Sequence, residues 1–320
     1  PDRPDAVYVP AVTEGMGMYG RATAGRYGVA LTYSYPHRFW TLTGAEKSKT
    51  VVEADDDLHL MASLWDTETG MALPIDSGLA VEIRNEDGLV SQEVAYPMLS
   101  QQMGMHYGDN YPLDGAGAYE ARIRIGGVSP RRTGGFEGAF ESTETATIDF
   151  EFDPNQLSEI SISEPENGGE RGAIAPMKMD GVPVGRAPDA DFLPGRHLGR
   201  GSVGDVVFEA FAVEGGDLDG RFDADPYLYV SARTRHNGIV LPMMGLEAAV
   251  TRDGETVSEA RLASTLDPDL GYHYGAADGD ATVRAGDELQ ISITTPPQVA
   301  RHDGYETAFL ESGEVSMTIE

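Results

Sequence analysis

The chain contains no cysteine among its 320 residues. That removes disulfides, thiolate metal sites, cysteine nucleophiles and cysteine-held iron–sulfur clusters together. It assigns no compartment, because secreted domains without disulfides exist. Lysine is nearly absent: Lys47, Lys49 and Lys178 are the whole complement, and Lys+Arg 23 against Asp+Glu 53 gives a formal charge of −30. A field of that sign repels nucleic-acid backbones and anionic lipid surfaces, so no nucleic-acid partner is expected. No apolar run of about 18 residues is present to cross a bilayer as a helix. The chain opens on Pro1-Asp2-Arg3-Pro4 rather than on a methionine or a signal peptide. The expectation is a processed or trimmed form of an extracellular or cell-surface protein, with a lipid anchor a candidate feature of the full-length chain. Catalytic signatures are missing as well. There is no Gly-x-Ser-x-Gly elbow and no His-x-x-x-His pair on a helix, and Gly115-Ala116-Gly117 lacks the strand-turn-helix setting of a phosphate loop. The chain is expected not to be an enzyme.

What is present reads as folded β structure. Hydrophobic residues make up 40%, beside 39 Gly and 19 Pro, a balance too apolar for disorder and typical of short strands joined by turns. Alternation such as Leu79-Ala80-Val81-Glu82-Ile83-Arg84 and Glu120-Ala121-Arg122-Ile123-Arg124-Ile125 gives strands with one wet face. The chain also repeats itself. His106-Tyr107-Gly108 recurs as His273-Tyr274-Gly275, Leu73-Pro74 as Leu241-Pro242, and Phe136-Glu137-Gly138-Ala139-Phe140 as Tyr305-Glu306-Thr307-Ala308-Phe309. The predicted architecture is all-β, two tandem immunoglobulin-like antiparallel β-sandwich domains. The first covers residues 1–155, a linker 156–172, and the second residues 173–320.

Four regions carry groups able to do chemistry. Residues 96–108 place Met98, Met103 and Met105 close to His106, and thioether sulfur with imidazole suits copper, Cu(I) above all, rather than calcium or magnesium. The same methionines would also fill an irregular core. In Asp57-Leu58-His59-Leu60-Met61-Ala62-Ser63, His59 and Met61 share one strand face. Glu14-Gly15-Met16-Gly17-Met18 spaces two methionines for one face, as core or as metal ligands. His37, in Tyr35-Pro36-His37-Arg38-Phe39-Trp40, is expected to cap an aromatic cluster, with a metal-ligand role as the alternative. His236, Met243, Met244 and His302 form a separate candidate set in the second half, with loop histidines and core methionines as the alternative.

His59-Leu60-Met61-Ala62, Leu73-Pro74, Tyr96-Pro97-Met98 and His106-Tyr107-Gly108 together resemble the iron-transport-associated family of periplasmic metal-binding proteins. The resemblance covers about residues 50 to 150, and residues 220 to 320 more weakly. It implies an immunoglobulin-like domain, often dimeric, that binds copper, zinc or manganese-like ions and serves iron uptake. It places ligand positions at Met61, Met98 and His106, and with Met103 and His59 from the residue reading above the candidate metal site is His59, Met61, Met98, Met103 and His106. The chain departs from the family pattern where Met61 replaces a glutamate. It also lacks a second histidine, whose place falls near Ala139. In the second half Leu266 stands near the methionine position and Tyr229 or Val230 near the strand ligand, so that half is expected to be degenerate. Trading a carboxylate for a thioether softens the site toward Cu(I).

The leading expectation is therefore an exported metal-binding protein linked to copper or iron acquisition. Its expected cofactor is a copper ion, with iron, zinc or manganese as alternatives; a homo-oligomer and a membrane transporter are the candidate partners. The alternative is a structural or adhesive surface protein that assembles into a polymer around a decayed site. The carboxylate-rich, lysine-poor composition resembles proteins of salt-loving archaea. Repulsion among so many carboxylates is screened over about 3 Å at about 1 M salt and over about 10 Å at about 0.1 M. The melting temperature is expected to rise steadily as KCl increases from about 0.1 M to about 3 M; a flat or falling curve in calorimetry would contradict this reading of the surface.

Overall fold

The computed structural model describes residues 5–214, 221–222, 226–276 and 283–320, so the opening Pro1-Asp2-Arg3-Pro4 lies outside the described residues. The chain is all-β, with three short 3-10 turns as its helical content among the described residues. In the first half the strands are β1 (Thr13–Glu14), β2 (Gly17–Ala24), β3 (Tyr27–Ser34), β4 (Phe39–Thr43), β5 (Glu46–Thr50), β6 (Leu58–Asp66), β7 (Ala80–Asn85), β8 (Gly88–Val94), β9 (Tyr96–Ser100), β10 (Gly104–Tyr111), β11 (Gly117–Ile125), β12 (Arg131–Arg132) and β13 (Glu144–Phe152). There follow β14 (Ile162–Ser163), β15 (Arg196–Val203), β16 (Val206–Val213), β17 (Tyr227–Thr234), β18 (Gly245–Arg252), β19 (Glu255–Asp267), β20 (Gly271–Ala276), β21 (Glu288–Thr295), β22 (Ala300–Arg301) and β23 (Gly313–Thr318).

The alternation read from sequence decides the layers. On β11, Tyr119, Ala121, Ile123 and Ile125 are buried while the residues between them reach solvent, and β13 repeats the pattern. These strands belong to a four-stranded sheet ordered β13-β11-β7-β8. Its apolar face meets Leu58, Leu60, Ala62 and Leu64 of β6 in one hydrophobic core. β6 lies inside an eight-stranded sheet ordered β2-β3-β6-β10-β9-β22-β4-β5. Its other face, carrying His59, Met61 and Ser63, is buried too, so this strand is covered on both sides.

The second half forms the sheet β15-β16-β17-β20-β19-β18-β21-β23. Its registers run parallel to those of the first half. Met61 pairs with Gly108 and Tyr229 with Gly275; Met98 pairs with His106 and Thr265 with His273. One long strand, β19, does the work of both β8 and β9: it pairs with β18 at one end and β20 at the other.

Two short strands cross between the halves. β22, from the C-terminal half, lies parallel to β9, with Ala300 opposite Met98, and antiparallel to β4 through Arg301 and Trp40. β12, from the N-terminal half, lies parallel to β19 of the other half, with Arg131 opposite Thr265. Arg301 is fully buried; its guanidinium donates to the carbonyls of Val299 at 2.6 Å and Pro297 at 2.9 Å. The segment expected as a linker is itself tied down, since β14 pairs with β1. Each half thus completes a sheet of the other. Cleaving the chain at a protease site inserted after Asn167 is expected to leave the two fragments together on gel filtration until denaturant is added; fragments that separate in native buffer would show the exchanged strands to be dispensable.

Candidate metal centre

The His-Tyr-Gly triplet on β10 divides its work by strand parity. Tyr107 points into the core, where its hydroxyl donates to the Ile75 carbonyl at 2.5 Å and receives the Ser77 amide at 3.0 Å. His106 points to the opposite face, toward β9 and β6. Gly108 supplies clearance: a Cβ there would lie 2.8 Å from His59 Nε2 and 3.1 Å from Met98 Sδ. Any larger residue would push these two groups away.

Four imidazoles gather on this face. The ring of His37, in the loop after β3, lies 4.0 Å from that of His59 and 4.9 Å from that of His302, and His106 lies 5.1 Å from His302, all centroid to centroid. One ring nitrogen each from His37, His59 and His302 falls within 4.8 Å of the others. Bonds to one ion at about 2.0–2.1 Å would need only a modest contraction of that spacing.

The second ring nitrogen is held by oxygen in three of the four. His37 Nδ1 meets the Tyr35 carbonyl at 3.0 Å, His106 Nδ1 the Gly104 carbonyl at 3.0 Å, and His59 Nδ1 the side-chain oxygen of Asn110 at 2.8 Å. Acceptor oxygens at Nδ1 place the proton there and leave a lone pair on Nε2. Asn110 also receives the His37 amide and donates to the His37 carbonyl, so it locks the two histidines to one another. The Nε2 atoms of His37, His59, His106 and His302 are all buried with no hydrogen-bond partner. Each such orphaned acceptor costs about 1–3 kcal/mol, unless something binds it.

Burial sets the electrostatics. It pushes His37 and His106 down to about 4 and holds His59 and His302 well below their ordinary 6.5, with neighbouring imidazoles adding to the effect at His59, His106 and His302. All four are neutral at pH 7, the form in which imidazole binds a metal. A cavity of about 530 Å³ opens onto the cluster, walled in part by His37, His106, His302, Met61 and Met103. His59 and Met98 are completely buried. The five residues expected as ligands, His59, Met61, Met98, Met103 and His106, thus converge on one region.

Two expectations about histidines are corrected, and a third, about Leu266, is corrected with the second half below. His37 does not merely cap aromatic rings; it belongs to the histidine cluster. His302 does not join a separate set in the second half, because β22 carries it into the first half's sheet, where its amide donates to the Leu99 carbonyl at 3.2 Å. Of its supposed companions, His236 lines a different cavity beside Arg235, while Met243 and Met244 donate their amides to Tyr272 and Tyr274. A sequence signal for His302 existed: it precedes Tyr305 by three residues, as Thr133 precedes Phe136, and Thr133 donates its amide to the Leu266 carbonyl in the same manner.

The matching place in the second half is closed by its own side chains. His273 Nδ1 meets the Gly271 carbonyl at 3.0 Å, as His106 meets Gly104, but His273 Nε2 is engaged by the Tyr227 hydroxyl at 3.0 Å. Tyr229 stacks on the ring at 4.7 Å. Thr265, not Leu266, occupies the methionine register, and Leu266 points into the core. Thr133, in the place of His302, donates to Asp267 at 2.7 Å.

A family model described as a domain of unknown function, DUF7350, matches residues 191–318. No curated protein matches the chain. Among solved structures it is similar to the as-isolated FetP of uropathogenic Escherichia coli strain F11, at 16% identity and a TM-score of 0.30, over 44% of this chain and 96% of that one. It is also similar to a copper-bound variant of the same FetP, at 17% identity and a TM-score of 0.29, over 43% of this chain and 92% of that one.

The depressed histidines make a pH prediction for the metal-free protein. Between their folded values, about 4 for His37 and His106, and the ordinary 6.5, the unfolded chain binds more protons than the folded one. Their neutral, folded form is therefore favoured above that window, and the fold loses stability as the pH falls through it. Replacing His37 by Gln removes one such group, so urea unfolding between about pH 7 and about pH 5 should show a shallower loss of stability in His37→Gln than in wild type. Equal slopes would contradict the burial of a neutral His37.

Proposed function

We propose that this protein binds one soft transition-metal ion, Cu(I) in preference to others, at His37, His59, His106 and His302 with Met61 and Met98 alongside, and that it serves as an exported, non-catalytic carrier in copper or iron acquisition. The observation that carries the reading is the set of four buried Nε2 atoms without a hydrogen-bond partner, three of them left as lone pairs by Nδ1 contacts to oxygen, with His37, His59 and His302 close enough to share one ion. Proteins satisfy buried polar atoms almost without exception. Four unsatisfied acceptors in one place therefore ask for a cation, and neutral imidazoles with their other nitrogens anchored to oxygen are the usual form of a metal ligand. Thioether and imidazole donors without a carboxylate among them favour Cu(I) over Mn(II) or Fe(II). Zinc is the natural competitor, since imidazole suits it as well. With Tyr227 engaging His273 in the second half, the stoichiometry is one ion per chain.

Anaerobic titration against a chromophoric Cu(I) chelator tests this. Wild type and His273→Gln are expected to take up one equivalent, and His59→Ala to lose high-affinity uptake. Asn110→Ala, which frees His59 Nδ1 and unlocks His37 while sparing every ligand, should weaken affinity about 10- to 100-fold with the stoichiometry unchanged. Uptake that ignores His59 would overturn the assignment. A wild-type protein that binds no metal and assembles without it would favour the structural surface role.

A further inference from the structure

The cavity above the histidines is far larger than an ion needs, and its outer wall carries Glu14 and Met16. They come from residues 13–17, a segment that the histidine cluster does not use. Glu14 and Met16 stand two residues apart in an extended segment, which turns both to one face. The glycines between and after them hold that face against the cavity. A Cβ at Gly15 would lie 2.6 Å from Ser161 Oγ, and one at Gly17 would overlap the Tyr33 ring. The Gly15 amide donates to the Ser161 carbonyl at 2.8 Å, and β1 is clamped by β14, so the segment is fixed in place. Glu14 accepts from Ser34 Oγ at 3.2 Å, and its carboxylate stands 3.9 Å from His37 Nδ1. On the same wall Met103 is nearly fully buried, whereas Met16 is half-buried.

Exposure is graded along this wall. Met16 and Glu14 meet solvent; the His37 side chain is 22% exposed; His106 and His59, at 1% and 0%, are sealed. A soft ion cannot cross an apolar gap bare, so it moves by exchanging one donor for the next. Resting on the metal-binding reading above, we propose that Glu14 and Met16 form an outer transfer subsite for Cu(I), with Met103 deeper on the same wall, through which the ion is handed to and from His37 and the sealed histidines. It binds the ion weakly and in passing. An intermediate station of this kind lowers the barrier for loading and for release alike, and leaves the equilibrium between solution and the histidines unchanged.

The experiment measures Cu(I) transfer from a chromophoric chelator by anaerobic stopped flow, and return to an excess of chelator, in wild type, Met16→Ile, Glu14→Gln and Met18→Ile. Met16→Ile is expected to slow loading and release by the same factor, about tenfold, with unchanged equilibrium affinity and one ion per chain. Glu14→Gln should act in the same direction. Met18→Ile, at a residue 40% exposed and not part of the cavity wall, should match wild type. Wild-type rates in both Met16→Ile and Glu14→Gln would overturn the proposal. So would a fall in equilibrium affinity that accounts for the change in rate, because Met16 would then be a ligand of the resting site. Failure of the metal-binding reading is seen separately, as wild type that takes up no copper at equilibrium.

Discussion

The histidine cluster depends on two residues of backbone being threaded into the wrong half of the molecule. Ala300 and Arg301 enter the gap between β9 and β4, and without them the eight-stranded sheet would end at Met98 and Leu99 on one side and start again at Trp40 on the other. Their insertion fixes His302 one residue later, over His106 and beside His37. It also buries a guanidinium, which burial pushes down to about 9 and whose two terminal nitrogens donate to backbone carbonyls rather than to a carboxylate, while its Nε has no hydrogen-bond partner among the described residues. Opening the crossing would break the hydrogen bonds from Arg301 to the Val299 and Pro297 carbonyls and the pairing of β22 with β9 and β4. The site is thus built across the two halves, and its geometry is as rigid as their association.

The two halves show what the same backbone does with different side chains. In both, the tyrosine of the triplet anchors the core by hydrogen-bonding backbone in the loop that follows Leu73-Pro74 or Leu241-Pro242, and the histidine Nδ1 meets a carbonyl two residues earlier. In both, the glycine makes room for a residue of the neighbouring strand. Where that residue is His59, its Nε2 and that of His106 are both buried without a hydrogen-bond partner. Where it is Tyr227, a phenol meets the imidazole and the polar requirement is met within the chain. The change from a site to a filled core therefore turns on the group that Gly108 or Gly275 admits.

The sequence made much of this legible. The alternation of β11 and β13 and the glycine turns mark the strands, and parity alone places His59 and Met61 together, opposite Leu58 and Leu60. Met98 and Met103 were reachable because they sit close to His106 in the chain. What stayed hidden was non-local. His302 lies 196 residues beyond His106, and no local pattern says that the segment following Val299 leaves its own half. His37 follows a strand end, where side-chain direction is set by the loop rather than by a period. The swap of Thr265 for Leu266 in the methionine register has a physical cause as well: β19 runs unbroken where the first half divides at Ala95, so a count across that region slips by one and exchanges the two faces.

Electrostatics and coordination chemistry divide the remaining labour. A chain of charge −30 draws cations of every kind, and in concentrated salt the most abundant are hard and monovalent. The carboxylates face water and screening there is short-ranged, so they concentrate ions without choosing among them. The cluster works on the opposite terms. Its donors are neutral nitrogen and sulfur, with the Glu14 carboxylate 3.9 Å from His37 Nδ1 at its edge and no oxygen cage to replace an alkali ion's hydration shell. A soft ion gains bonds there that water does not offer, while a hard one loses more than it gains. On the proposed reading, selectivity against a large excess of the wrong cation would rest on donor atoms that carry no charge themselves, with the carboxylates of Glu14 and Asp303 only at the edge of the cluster.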